Sequence, residues 1–203
     1  MIRTARAAAL AVACLGFAAS WPAQAEAPVK RIRGTIASVD GNTVSIKPRT
    51  GEAVTVRLGD GVRVAGASAA KLTDIQPDSY IGTAATPQPD GTLKALEVAV
   101  FAPSMRGTGD GHYPWDLEKE NTMTNGAVGA VTGTTNRTVT VTYAGGQKTI
   151  TVPDDVPVVA LAPADASLIK PGARVVAFTR ADASGTAVAD RLVVGQNGTV
   201  PPM

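Results

Sequence analysis

Cysteine, histidine and aromatic side chains are all scarce in this 203-residue chain, which has one cysteine, one histidine, two tryptophans, three tyrosines and three phenylalanines. The single cysteine, Cys14, lies in the N-terminal leader described below. The remainder therefore has no disulfide, no thiolate metal site and no cysteine nucleophile. The single histidine, His112, has no nucleophile elbow to serve, so a serine triad is excluded. No apolar run approaches the roughly 20 residues that a membrane-spanning helix needs.

Charge of one sign is missing too. Residues 1 to 25 carry Arg3 and Arg6, the apolar run AAALAVACLGFAA and the small-residue sequence AQA at Ala23 to Ala25, the layout of a cleavable signal peptide. A small-residue pair precedes Cys14 and raises lipid attachment there, but Ala11 stands where leucine is preferred and the apolar run continues past it. Export directs the protein to the periplasm or the exterior. Without the leader, the 19 basic residues fall to 17 against 17 acidic ones. A neutral chain lacks the broad field that steers polyanions, which argues against nucleic acid as a partner.

What is abundant is short-period alternation with turn residues between, and it occurs twice. The stretch RGTIASVDGNTVSIKPRTGEAVTVRLGDGVRV from Arg33 aligns with NGAVGAVTGTTNRTVTVTYAGGQKTITVPDDVPVV from Asn125. The register continues with LTDIQPDSYIGTAA from Leu72 against ASLIKPGARVVAFT from Ala166, then DGTLKALEVAVF from Asp90 against SGTAVADRLVVG from Ser184. The offset is 92 residues at Gly34/Gly126 and 94 at Pro77/Pro171, so turn insertions absorb the drift.

Within each copy, Val44 and Ile46, then Val54, Val56 and Leu58, alternate with polar residues at the period of two of half-buried strands. So do Val139, Val141 and Tyr143, then Ile150 and Val152. A short helical segment follows, SAAKLTDI or PADASLI, stopped by a proline, and then two more strands. Three strands, a turn of helix and two strands is the order of a small closed OB-type barrel; a five-stranded open roll is the alternative. The expected fold is mainly β: a barrel over 30–103, an ordered interdomain linker over 104–124, a second barrel over 125–198 and a loose tail over 199–203.

The stretches KRIRGTIASVDGNTVSIKPRTGEAVTVRL, LTDIQPDSYIGTAATPQPDGTLKALEVAVF and MRGTGDGHYPWDLEKENTMTNGAVGAV resemble a family of uncharacterised exported bacterial proteins with tandem OB-like domains of unknown function. The resemblance implies the tandem fold and no particular activity.

The segment GTGDGHYPWDLEKENTM, residues 107 to 123, concentrates the rare side chains. Met105, His112 and Met123 are soft ligands suited to copper(I), and Trp115 could cap such a metal; their spacing imposes no geometry. The competing reading is a strap in which Tyr113 and Trp115 plug a groove between barrels, Pro114 stiffens the chain and Asp116 lies beside them. GTGDG lacks the following helix that a phosphate loop needs, SAAK at Ser68 lacks companion motifs, and the Asp154–Asp155 pair after Pro153 is a turn. Of Tyr80, Phe101, Tyr113, Trp115, Tyr143 and Phe178, only Tyr143 suits a base-stacking platform, and the basic run KRIR at Lys30 to Arg33 reads as solvation of an edge strand that deters pairing. The chain reads as a non-catalytic binding protein of the bacterial envelope, its partner an envelope protein or a small ligand, with a copper or other soft-metal protein as the alternative.

Overall fold

A computed structural model describes residues 28–133 and 137–202; the leader, Cys14 with it, and Met203 lie outside the described residues. Twelve strands run through the described residues. They are β1 (Lys30–Asp40), β2 (Thr43–Pro48), β3 (Val54–Ala69), β4 (Tyr80–Pro87), β5 (Leu93–Phe101) and β6 (Gly111–Pro114). Then come β7 (Thr122–Thr132), β8 (Arg137–Tyr143), β9 (Gly146–Val152), β10 (Val158–Pro163), β11 (Arg174–Ala181) and β12 (Ala187–Gly195). The helical segments expected after each meander are single 3-10 turns, Leu72–Asp74 and Ala166–Leu168. The alternation is realised side chain by side chain: Val44, Ile46, Val56, Val139, Val141, Ile150 and Val152 are fully buried.

The halves do not close separately. A five-strand barrel forms from β1, β2 and β3 of the first copy with β12 and β11 of the second, through the pairings β1–β2, β2–β3, β3–β12, β12–β11 and β11–β1. The pairings of β7, β8 and β9 with β5 and β4 close a second ring, β5 meeting β9 at Leu93↔Ile150 and Lys94↔Thr151 and then running parallel to β10. Each copy thus lends its last two strands to the other. The boundaries 30–103 and 125–198 expected from the sequence do not enclose closed structures.

The cause is β3. Its 16 residues extend about 53 Å, at roughly 3.3 Å per residue, farther than one small barrel can use. The GDG at Gly59 to Gly61 does not turn the chain back but is absorbed where the register to β12 shifts between Ala189 and Arg191. The far end of β3 pairs antiparallel with β10, from Val159↔Ala69 to Pro163↔Ala65. Only ten residues then separate Ala69 from Tyr80, with Ala70 N–H bonded to Val158 O, so β4 starts in the second ring. In the second copy Pro153 and Pro157 interrupt the equivalent strand, yet β9 and β10 follow the same path.

The equivalences are those of a pseudo-two-fold. Gly34↔Val175 corresponds to Gly126↔Ile81, Leu192↔Val64 to Val158↔Val98, and the pair Leu161↔Ala67 maps onto itself. Three apolar clusters form among the described residues. One fills each ring, and the third, with Ala67, Leu161, Phe101, Phe178, Val176 and Met123, draws on both halves between them.

The swap also redefines the supposed interdomain linker. Residues 102–121 join β5 to β7, two strands of the same ring, and part of the segment is itself strand β6 on the edge of β7. The crossings between rings are made by β3 and by the stretch from β10 to β11. Nor are the described residues of the tail loose: Gln196 N–H bonds Ala67 O, Thr199 O folds onto Gly195, where a Cβ would collide with it, and Pro201 and Pro202 are buried. Among the described residues no helix is long and apolar enough to cross a membrane.

Gly34 and Gly126 mark the same crowded point in each ring, because a Cβ there would strike Lys47 O or Thr142 O and come within 2.9 Å of Ile46 or Val141. Each Gly→Ala substitution is expected to cost roughly 2 kcal/mol by overpacking, a fall of about 4–8 °C in Tm. Thermal denaturation checks this, and the two-fold requires similar losses at both positions.

Candidate functional site

The strap over 102–121 is ordered by polar contacts that close it on β7 and β8. Asp110 accepts hydrogen bonds from Ala144 N–H at 2.6 Å and from the Tyr80 hydroxyl at 3.1 Å. Asn125 Nδ2, at the start of β7, reaches Gly109 O at 3.0 Å and the Tyr113 hydroxyl at 3.1 Å. Arg106 pairs with Asp78 at 3.0 Å, and Trp115 N–H bonds Asn121 O at 2.8 Å. Burial, with Asp110 beside it, raises the Tyr80 pKa, and burial raises that of Tyr113.

The register of β6 on β7 fixes where the candidate metal ligands go. His112 lies opposite Thr124, with Nδ1 at 2.9 Å from Thr124 Oγ1, and stacks on Tyr143 at 6.1 Å between centroids. Met123 lies opposite Tyr113, so its side chain points to the other face of the sheet, where it is fully buried in the central cluster. Met105, on the 3-10 turn Pro103–Met105, packs partly buried against that same cluster. His112 is therefore separated from both thioethers by the sheet. Among the described residues no group of three or more His, Cys, Asp or Glu gathers as a metal site.

Beyond β6 the strap crosses to the first barrel. Trp115 lies under the guanidinium of Arg31 at 3.6 Å, and Tyr113 tilts against the Trp115 ring at 6.0 Å. Asp116 accepts from Arg33 at 2.6 Å and pairs with Arg31 at 3.3 Å. Burial pushes the Asp116 carboxyl upward, but the hydrogen bond and charge of Arg33, with Arg31 behind it, outweigh this and hold it below the usual carboxylate range. Arg191 covers the opposite strand's Phe178 at 3.7 Å, so cations and rings alternate across the junction.

A cleft of about 690 Å³ opens where Asp116 and Leu117 meet the first barrel and the C-terminal residues Pro201 and Pro202. Among the described residues, four arginines, Arg31, Arg33, Arg49 and Arg174, line it against two carboxylates, Glu97 and Asp116. Of Tyr113, Trp115 and Asp116, only Asp116 lines this cleft; Trp115 supports Arg31, and Tyr113 packs on Trp115. Arg174 and the C-terminal prolines were not legible in the sequence: Arg174 comes from the other copy by the strand exchange. The spacing of Arg31 and Arg33, two apart in one strand, was the available signal. No family model, no curated protein and no solved structure matches this chain.

Burial, with Lys148 nearby, lowers the His112 pKa below its ordinary 6.5. The folded state therefore favours the neutral ring, and its stability is fully present above that value and declines as pH falls through it. NMR of the single imidazole is expected to give a midpoint below 6.5, and His112→Gln to flatten the fall in Tm between about pH 7 and 5.

Proposed function

We propose that this is an exported, non-catalytic binding protein of the bacterial envelope, built of two OB-like barrels with exchanged strands, that receives its partner in the arginine-lined cleft. Two features support the OB-like reading: each ring runs in the order of three meander strands followed by the fifth and fourth, and the third and fifth strands are parallel. Export rests on the sequence of the leader.

The observation that carries the binding reading is the concentration of cationic side chains in one concave place on a chain whose exported part is neutral by sequence. Among the described residues, the four arginines of this recess outnumber its two carboxylates, and its walls are partly apolar, a setting in which field lines focus and an anionic group would be held. Arginine side chains there are already positioned: Arg31 is stacked on Trp115 and Arg33 is anchored by Asp116, so binding would sacrifice little rotamer freedom.

A photo-crosslinking residue at exposed Thr50, on the cleft, should yield an adduct of defined mass in envelope extract. The adduct should be lost on Arg33→Glu and absent from the same residue at exposed Gln147 on β9. Equal labelling from both positions, or none from Thr50, would contradict the proposal.

A further inference from the structure

Four neighbouring strands of the first barrel set Arg31, Phe178, Arg191 and Arg63 in one row, through the pairs Arg31↔Phe178, Phe178↔Arg191 and Arg191↔Arg63. Directly paired residues project to the same face of a sheet. Here it is the outer face, because the next residues along these strands, Ile32, Ala177, Leu192 and Val64, belong to the cluster that fills the barrel. The duplication does not impose this row. By the pseudo-two-fold its equivalents in the second ring are Met123, Ala84, Glu97 and Pro157, none of them cationic.

The fold accounts for only part of this charge. Arg31 lies on Trp115 and pairs with Asp116, and the Arg191 guanidinium covers the Phe178 ring at 3.7 Å. Arg63, directly opposite Arg191, is exposed and has no such contact. Among the described residues no carboxylate pairs with either Arg63 or Arg191: Asp190 is bound to Arg180 at 3.0 Å, Asp182 to Arg57 at 3.0 Å, and Asp60 makes no ion pair. Like charges opposed across two strands destabilise the sheet unless something lies between them. Burial and the charge of Arg63 lower the Arg191 pKa, with Asp190 and Tyr113 opposing. None of the Arg191 nitrogens is both sealed from solvent and unpartnered, so its donors remain open to a ligand. Tyr113 borders the row, since the charges of Arg191 and Arg31 reach its hydroxyl against the effect of burial.

We propose that Arg191 and Arg63 together bind a phosphate monoester, whose dianion lies across the two guanidinium groups on the outer face of β12 and β3. The charge count selects the class. Two opposed cations are balanced by two negative charges on one small group; a carboxylate brings one, whereas a phosphate monoester carries roughly −1.5 to −2 at neutral pH on three acceptor oxygens. Each guanidinium presents a planar fork of donors that matches two of those oxygens. Arg191 is held in place by Phe178, so little of its freedom is lost on binding, and exposed Arg63 adapts to close on the ligand. A soluble metabolite and a lipid headgroup both present this group. Neither arginine lines the cleft, so the inference is separate from the binding reading above.

The test is calorimetric titration of the whole chain, in phosphate-free buffer of low ionic strength at about pH 8, where a phosphate monoester is fully dianionic. Methyl phosphate should bind saturably, one to one. Methyl sulfate, of the same shape with a single charge, should bind roughly tenfold or more weakly. Arg63→Gln, at an exposed position, should weaken methyl phosphate roughly tenfold, and Arg63→Lys by less, since the charge stays and the fork is lost. Without ligand, Arg63→Gln should melt no lower than the parent chain, because the opposition is relieved; methyl phosphate should raise the Tm of the parent and not of the variant. Co-sedimentation with vesicles of phosphatidic acid in phosphatidylcholine, and not with phosphatidylcholine alone, would identify a lipid source. Binding of glycerol 3-phosphate without co-sedimentation would identify a soluble one. No binding of methyl phosphate, or equal binding of methyl sulfate, overturns the proposal. So does a loss on Arg49→Gln but not on Arg63→Gln, which would put the anion in the cleft.

Discussion

The pairing of β3 with β10 is the constraint on which the rest of this structure depends. A small barrel uses a strand of about six residues, and β3 has 16, so the excess must run out of one ring and be paired elsewhere. Its partner is the equivalent strand of the other copy, running antiparallel through Leu161↔Ala67, so that this part of β3 is paired rather than left as an open edge. Once that pairing forms, the short connections after β3 and β10 deliver the last two strands of each copy into the opposite ring. Strand exchange is thus a consequence of one length. Its product is a central apolar cluster drawn from both halves, which neither copy could bury alone.

The strap and the cleft follow from the break in symmetry around that cluster. On the side of the second ring, β6, Asn125, Asp110 and Tyr80 form a hydrogen-bonded strand addition. On the side of the first, the position equivalent to Asn125 is Arg33, and the strap arrives there only with Trp115 and Asp116. One carboxylate between two guanidinium groups, partly shielded from water, is a stronger pairing than an exposed ion pair. The aromatic residues at this junction serve as supports for cations, which accounts for their concentration in an otherwise ring-poor chain.

Much of the architecture was legible because alternation and repetition are local signals. Val44, Ile46, Val139 and Val141 fall inside rings, and the short helical turns fall at Leu72 and Ala166, where the sequence indicates them. Which ring each strand joins is not a local property. The registers Gly34↔Val175 and Gly126↔Ile81 would read equally well within one copy, and only the continuity of β3 past Gly59 to Gly61 decides between the two arrangements. For the same reason His112 and Met123 look like a ligand pair in a linear reading, although β6 places them on opposite faces. Trp115 and Asp116 contact Arg31 and Arg33, residues of a basic run whose sequence reads as solvation of an edge strand.

Disulfide trapping distinguishes the exchanged and unexchanged arrangements directly, because the two copies offer equivalent partners for the same residue. In a Cys14→Ser background, Thr35→Cys with Arg174→Cys joins directly opposed residues of β1 and β11, at a separation that a disulfide spans. Thr35→Cys with Tyr80→Cys joins the residues that would be opposed if each copy closed its own barrel. The exchanged fold predicts rapid, near-complete oxidation of the first pair in the monomeric chain and none of the second; efficient oxidation of the second pair would contradict it.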